Sequence, residues 1–206
     1  MSSRIAASLL GVWVLLALVG ASRADDAPPA TPPAAEKAPD LVEPTAELAP
    51  HLAPFDAEAE PGRELKRGLI AVAYYLLAGD VDRAVQYFHP DLQFHVGSGD
   101  LEPMPPAQLR GLFEEQQRER QREGGPRPKL TDVVDLGHVR AYSRERALEV
   151  DAEAEGWETV EPAQIARLMR EGDWLVMARL RGGDWGRELF YVFRKDGPRF
   201  KVVLAE

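Results

Sequence analysis

The chain has 206 residues, 45% of them apolar and 29% charged, with no cysteine. That is enough hydrophobic side chain for one modest folded domain and too much for a wholly disordered polypeptide. A formal net charge of −9 opposes broad electrostatic binding to nucleic acid, and the missing cysteines exclude disulfides, thiolate nucleophiles and thiolate metal sites.

The first element is an export address. Arg4 precedes a run from Ile5 to Val19 that is apolar or small throughout, and the small-x-small site Ser22-Arg23-Ala24 is followed by Asp25-Asp26. This pattern predicts a signal peptide over residues 1–24, cleaved after Ala24. The alternative is an uncleaved anchor tethering the chain to a membrane, because residues 5–22 carry no charge. Either reading places the domain outside the cytoplasm, periplasmic or secreted. Twenty Arg against five Lys, with abundant Ala and Pro, fit a GC-rich bacterial coding sequence.

Residues 25–62 hold nine Pro and ten Ala, and Leu41, Val42, Leu48, Leu52 and Phe55 follow no sustained period. Proline removes helix and ladder hydrogen bonds, so this stretch is expected to be a disordered tether that buries no core. The domain is expected over 63–206.

Leu65, Leu69, Val72, Ala73 and Leu76 lie on one face of a 3.6-residue period, which predicts a helix over 64–78 stopped by Gly79. Asp80 caps a second, short helix carrying Val81, Ala84, Val85 and Phe88, and Pro90 ends it after His89. Leu92, Phe94 and Val96 alternate with Gln93 and His95 as a half-buried strand ended by Gly97-Ser98-Gly99-Asp100. A third helix opens at Pro105-Pro106, buries Leu109, Leu112 and Phe113, and runs polar to Glu123. There Arg118, Arg120 and Arg122 interleave with Glu114, Glu115, Glu119 and Glu123 as a solvated, salt-bridged surface.

A long strand is expected over 131–142, with Gly137 marking a bulge, then an irregular or weakly helical stretch to 160 and a short helix from Pro162 to Glu171. Three strands close the chain, Trp174–Leu180, Arg187–Arg194 and Arg199–Leu204. They are joined at Gly182-Gly183-Asp184 and Lys195-Asp196-Gly197, turns short enough to demand antiparallel pairing. Trp174, Val176, Ala178 and Leu180 share one face with Leu189, Tyr191 and Phe193, and with Phe200, Val202 and Leu204, lining one core surface.

The expected class is therefore α+β: a helical hairpin and a third helix packed on a strongly curved antiparallel sheet of about five strands. Three pieces give it a family likeness: Tyr74-Tyr75-Leu76-Leu77-Ala78-Gly79-Asp80, Tyr87-Phe88-His89-Pro90-Asp91, and Phe190-Tyr191-Val192-Phe193-Arg194-Lys195-Asp196-Gly197 returning through Phe200-Lys201-Val202-Val203. In this order they resemble the nuclear transport factor 2-like superfamily, the cystatin-like cone that includes ketosteroid-isomerase-like and polyketide-cyclase-like (SnoaL-like) domains. The resemblance implies a pocket at the open end of the cone. It also implies a Tyr eight residues before the Asp of the Gly-Asp turn and a carboxylate on the first strand. Here those positions are Val72 and Val96, and valine neither donates a hydrogen bond nor carries a proton.

The remaining acid–base candidates are His95, Asp91 and His138. Alternation turns His95 away from the apolar face of its strand. His138 stands three residues from Asp135, on the opposite face of a regular ladder unless Gly137 carries a bulge. The histidines at 51, 89, 95 and 138 lack zinc spacing, and no glycine-rich phosphate loop or serine-hydrolase elbow appears, so neither metal nor cofactor is predicted. Tyr74, Trp174 and Tyr191 are the candidate lining of a ligand pocket.

The leading functional reading is an exported, non-catalytic domain that binds a small apolar molecule or a protein partner in the cell envelope. Two others stay open. One is an isomerase, dehydratase or cyclase using an unrecognised acid–base pair. The other is a structural module that forms a homodimer through the sheet face carrying Met177, Arg179, Phe190, Val192 and Val203.

Overall fold

The computed structural model describes residues 45–95, 101–124, 127–181 and 187–205. The described residues begin within the stretch expected to be a tether. A helical turn, α1 (Ala49–Leu52), leads through a 3-10 turn (Ala53–Phe55) to the long helix α2 (Gly62–Ala78). Leu48 is wholly buried and Leu52 and Phe55 are 3% exposed, so residues 45–61 contribute to the core and the expectation of an inert linker is corrected for them. Three apolar anchors suffice without any period, because Pro50 and Pro54 fall in the first turn of each short helical piece, where a missing N–H costs nothing. Polar ties hold this strap to α2: Lys66 Nζ donates to Glu58 at 2.8 Å, Arg67 pairs with Asp56 at 2.9 Å, and the Tyr74 hydroxyl donates to Glu47 at 2.9 Å. The helix is buried over more than the one face of its period. Leu65, Leu69 and Val72 are covered as its period predicts, and so are Ile70, Ala71 and Tyr75.

Gly79 ends α2 at φ 76°, in the left-handed region that glycine enters without strain. Asp80 then caps α3 (Val81–Val85), accepting the Arg83 N–H at 3.2 Å. This helix is shorter than expected, and Phe88, read as its last apolar contact, instead opens β1 (Phe88–His95). A short β2 (Leu101–Pro103) and the amphipathic α4 (Pro106–Glu123) follow, with Leu109 and Phe113 buried. A helical turn, α5 (Leu130–Val133), precedes β3 (Val134–Ser143). The stretch expected to be irregular contains α6 (Arg144–Glu149) and α7 (Ala152–Glu155), and α8 spans Pro162–Leu168. The closing strands β4 (Trp174–Leu180), β5 (Glu188–Asp196) and β6 (Arg199–Ala205) lie within two residues of the predicted bounds. The turns at 97–100 and 182–184 lie outside the described residues.

The sheet has six strands in the order β2-β1-β6-β5-β4-β3. It is mixed rather than wholly antiparallel, because β1 runs parallel to β6; strands so far apart in sequence escape the antiparallel rule of short turns. Two register shifts decide which side chains face where. In β5–β6, Val192 pairs with Leu204 but Phe193 pairs with Val202, so Val203 is the extra residue of a bulge. Leu204, expected on the same face as Val202, therefore turns to the other side. In β3–β4, Val134 pairs with Leu180 and Val139 with Ala178, which leaves Asp135 to His138 looped out around Gly137.

Both faces of the sheet are covered. On the front, Val176, Ala178, Tyr191, Phe193 and Val202 pack against α2, the strap, α4 and α5. Gly68 allows the close approach, since a Cβ there would stand 3.2 Å from the Phe193 ring. On the back, Leu175, Met177, Phe190, Val192 and Val203 pack against Ala147, Trp157, Ile165, Ala166 and Met169 of α6–α8 and their loops. The face that alternation offered for a homodimer is thus occupied by the chain's own helices: Met177 is 0%, Val192 1% and Val203 5% exposed.

Candidate functional site

The bulge in β3 sets the chemistry on the back of the sheet. With Val139 and Ala141 against the main core, His138, Arg140 and Tyr142 face the other side, beside Arg179 of β4 and Glu188 of β5. The segment 150–163 lies over them. Asp151 caps α7 by accepting the Ala154 N–H at 3.1 Å, and Gly156, at φ 78°, ends the helix and brings its carbonyl to the Arg179 guanidinium. Trp157 follows and drops onto the sheet, 4% exposed.

The polar groups under this cover are linked. The Trp157 indole N–H donates to the Tyr142 hydroxyl at 3.1 Å, that hydroxyl reaches Glu155 Oε2 at 3.5 Å, and Arg140 Nε stands 3.8 Å from the same oxygen. Glu188 fastens the next loop, accepting the N–H groups of Glu158 at 2.8 Å and Thr159 at 3.1 Å and the Thr159 hydroxyl. Burial pushes the Glu188 carboxyl up in pKa, against the pull of those backbone donors.

His138 meets Trp157 edge-on at 4.7 Å, and its buried Nε2 has no hydrogen-bond partner among the described residues. Burial, and then the charges of Arg179 and Arg140, lower its pKa below the ordinary 6.5. Between the lowered value and 6.5 the unfolded chain binds more protons here than the folded one. Stability therefore rises with pH through that window, is fully present above it, and is lost as pH falls through the folded value. The urea midpoint of the natural chain is expected to drop more steeply from about pH 7 to pH 5 than that of His138→Gln; equal slopes would remove His138 from the balance.

On the outer side of Trp157 the segment leaves an open groove of about 440 Å³. Val150, Ala152, Trp157, Val160, Pro162 and Ala163 supply its more buried lining, and Asp151, Glu153, Glu158 and Glu161 are exposed around it. Its size falls in the range of small-ligand sites. Among the described residues no group of three or more His, Asp or Glu is arranged to hold a metal ion.

The residues singled out from sequence do not converge. Asp91 is exposed on β1, and its N–H donates to His89 Nδ1 at 3.0 Å. Strands β6, β5 and β4 separate it from His138 on β3, roughly 19 Å at about 4.8 Å per strand. The backbone of His95 pairs with Leu101, while its side chain and Val96 lie outside the described residues. Val72 is wholly buried on α2. Tyr191 sits in the front core, edge-on to Phe88 at 6.0 Å and to Phe193 at 6.3 Å, and burial raises its pKa. Trp174 is partly buried on the same face. Tyr74 is on the strap side of α2, with its hydroxyl on Glu47 and its ring 6.0 Å from His51.

Sequence reasoning missed Trp157, Glu155 and Glu188. A readable signal was present: between Ala147 and Ala166 there are six carboxylates, one Trp and no Lys or Arg, a composition unlike the interleaved Arg and Glu of α4.

No family model and no curated protein matches the chain. Among solved structures it is similar to one titled as a putative calcium/calmodulin dependent protein kinase II association domain from Xanthomonas campestris, at 13% identity and a TM-score of 0.35. That match covers 72% of this chain and 86% of the other. The coordinates define a mixed α+β domain whose sheet is covered on both faces.

Proposed function

We propose that the protein is an exported, non-catalytic binding domain of the nuclear transport factor 2-like kind, and that it holds a small apolar molecule or an apolar segment of a protein partner. The observation that carries the reading is the groove beside Trp157, open to solvent and lined by Val150, Ala152, Val160 and Ala163 among carboxylates, while the front face of the sheet is filled with the contacts Phe113–Phe88–Tyr191–Phe193. The absence of turnover rests on Val72 standing where an isomerase needs a donor, and on the distance between Asp91 and His138. Export rests on the run from Ile5 to Ala24, and N-terminal sequencing of the secreted chain is expected to begin at Asp25.

Nile red, a neutral apolar dye, tests the binding itself. The protein is expected to bind it one to one with a rise in fluorescence, and Ala163→Trp, which fills the groove from the first turn of α8, should abolish the signal without lowering the melting temperature. Saturable binding unchanged in that variant would move the ligand elsewhere.

A further inference from the structure

Building on that reading, we infer that the groove recognises a cationic segment of a partner protein, in which a Lys or Arg stands next to apolar residues. Charge is the first ground. Of the six carboxylates between Ala147 and Ala166, Glu149 is met by Arg146 and Glu155 by Arg140, each at 3.8 Å, and Glu158 pairs with Arg187. Asp151, Glu153 and Glu161 have no ion pair among the described residues, and all three are exposed at the groove. The polypeptide between Ala147 and Ala166 supplies no cation of its own to offset their mutual repulsion, so an arriving positive charge is favoured.

Shape is the second ground. The groove's lining sets Val150, Val160 and Pro162 among these carboxylates, and a Lys or Arg side chain fits that mixture, its methylene stem lying on Val160 and Pro162 while its head reaches Glu153 or Glu161. An apolar neighbour in the same segment fills the rest of the groove. The chain's own residues 25–44 are a poor occupant, since they carry Asp25, Asp26, Glu36, Asp40 and Glu43 against Lys37 alone.

The test uses three capped hexapeptides that differ at two positions only: two Leu and two Ala with either Lys and Arg, two Gln, or two Glu. Each is titrated into the purified protein and followed by amide chemical shifts. The cationic peptide is expected to shift residues 150–163 and to bind at least tenfold more tightly than the Gln peptide, with that preference shrinking as salt rises. The double variant Glu153→Gln, Glu161→Gln should lose the preference; neither side chain caps a helix, so the amide spectrum should otherwise be unchanged. Equal binding of the Gln peptide at the same residues overturns the cationic assignment and leaves the groove a binding site. No shift at 150–163 with any peptide, together with no Nile red signal, overturns both. Salt-sensitive self-association that the double variant abolishes would also overturn it, giving the groove to the Arg118–Arg122 surface of a second copy.

Discussion

A chain shortened to begin at Pro61 is expected to lose its cooperative unfolding transition or to show a greatly reduced urea midpoint, whereas one beginning at Thr45 should unfold like the longer protein. Truncation at Pro61 removes Leu48, Leu52 and Phe55, which are 0%, 3% and 3% exposed and belong to the main core, and uncovers the part of that core on which they pack. Truncating one such side chain to Ala costs about 2–5 kcal/mol, against a total stability of about 5–15 kcal/mol for a domain. Leu48→Ala and Phe55→Ala should each lower the midpoint on their own, Phe55→Ala by about 3–5 kcal/mol. The ion pairs of the strap matter less, because Arg67–Asp56 is largely exposed and such pairs contribute under about 1 kcal/mol. An unchanged midpoint on truncation would mean that the strap is not part of the folding unit.

The second large effect is expected at the start of β4. Asp173 is 2% exposed, and both its carboxylate oxygens are engaged by Arg194 of β5, Nε and Nη2 each donating at 2.8 Å; Oδ2 also accepts the Arg170 N–H at 2.8 Å. The carboxylate holds the Arg194 guanidinium above its ordinary pKa, against the effect of burial. Arg194→Met leaves the Asp173 charge buried without its partner, and breaking a buried pair from one side costs about 3–5 kcal/mol. The lower part of that range is expected, since Arg194 is 26% exposed and water can reach its place. The double variant Asp173→Asn, Arg194→Met should recover much of the loss, because the uncompensated charge is then gone while the Arg170 N–H keeps an acceptor. A single-variant midpoint equal to that of the natural chain would show that the pair contributes only its geometry.

Much of the fold could be read directly. The period of α2, the cap at Asp80, the stop at Gly79 and the alternation in β4 and β5 are local signals, written in residues close together in the chain and answered by the structure nearly at the predicted bounds. The strap failed that test for a physical reason. Leu48, Leu52 and Phe55 are anchored one at a time against a helix later in sequence, and isolated anchors leave no period to detect. Leu204 failed for another, since one extra residue at Val203 reverses every later side chain in the strand. Nothing short-range announces a bulge of that kind.

The candidate site divides along the same line. By itself the sequence determined the absence of cysteine chemistry, and it held, without their place in the fold, the apolar run from Ile5 to Val19 and the carboxylate-rich run around Trp157, because each is a matter of which residue types are present and in what order. Only the tertiary structure decided that α6–α8 cover the back of the sheet, that Asp91 and His138 stand four strands apart, and that Tyr74 meets His51 and Glu47 of the strap. Those relations depend on strand order, on bulges and on which helix packs against which face, and they are settled by burying apolar area between residues far apart in the chain rather than by any propensity along it.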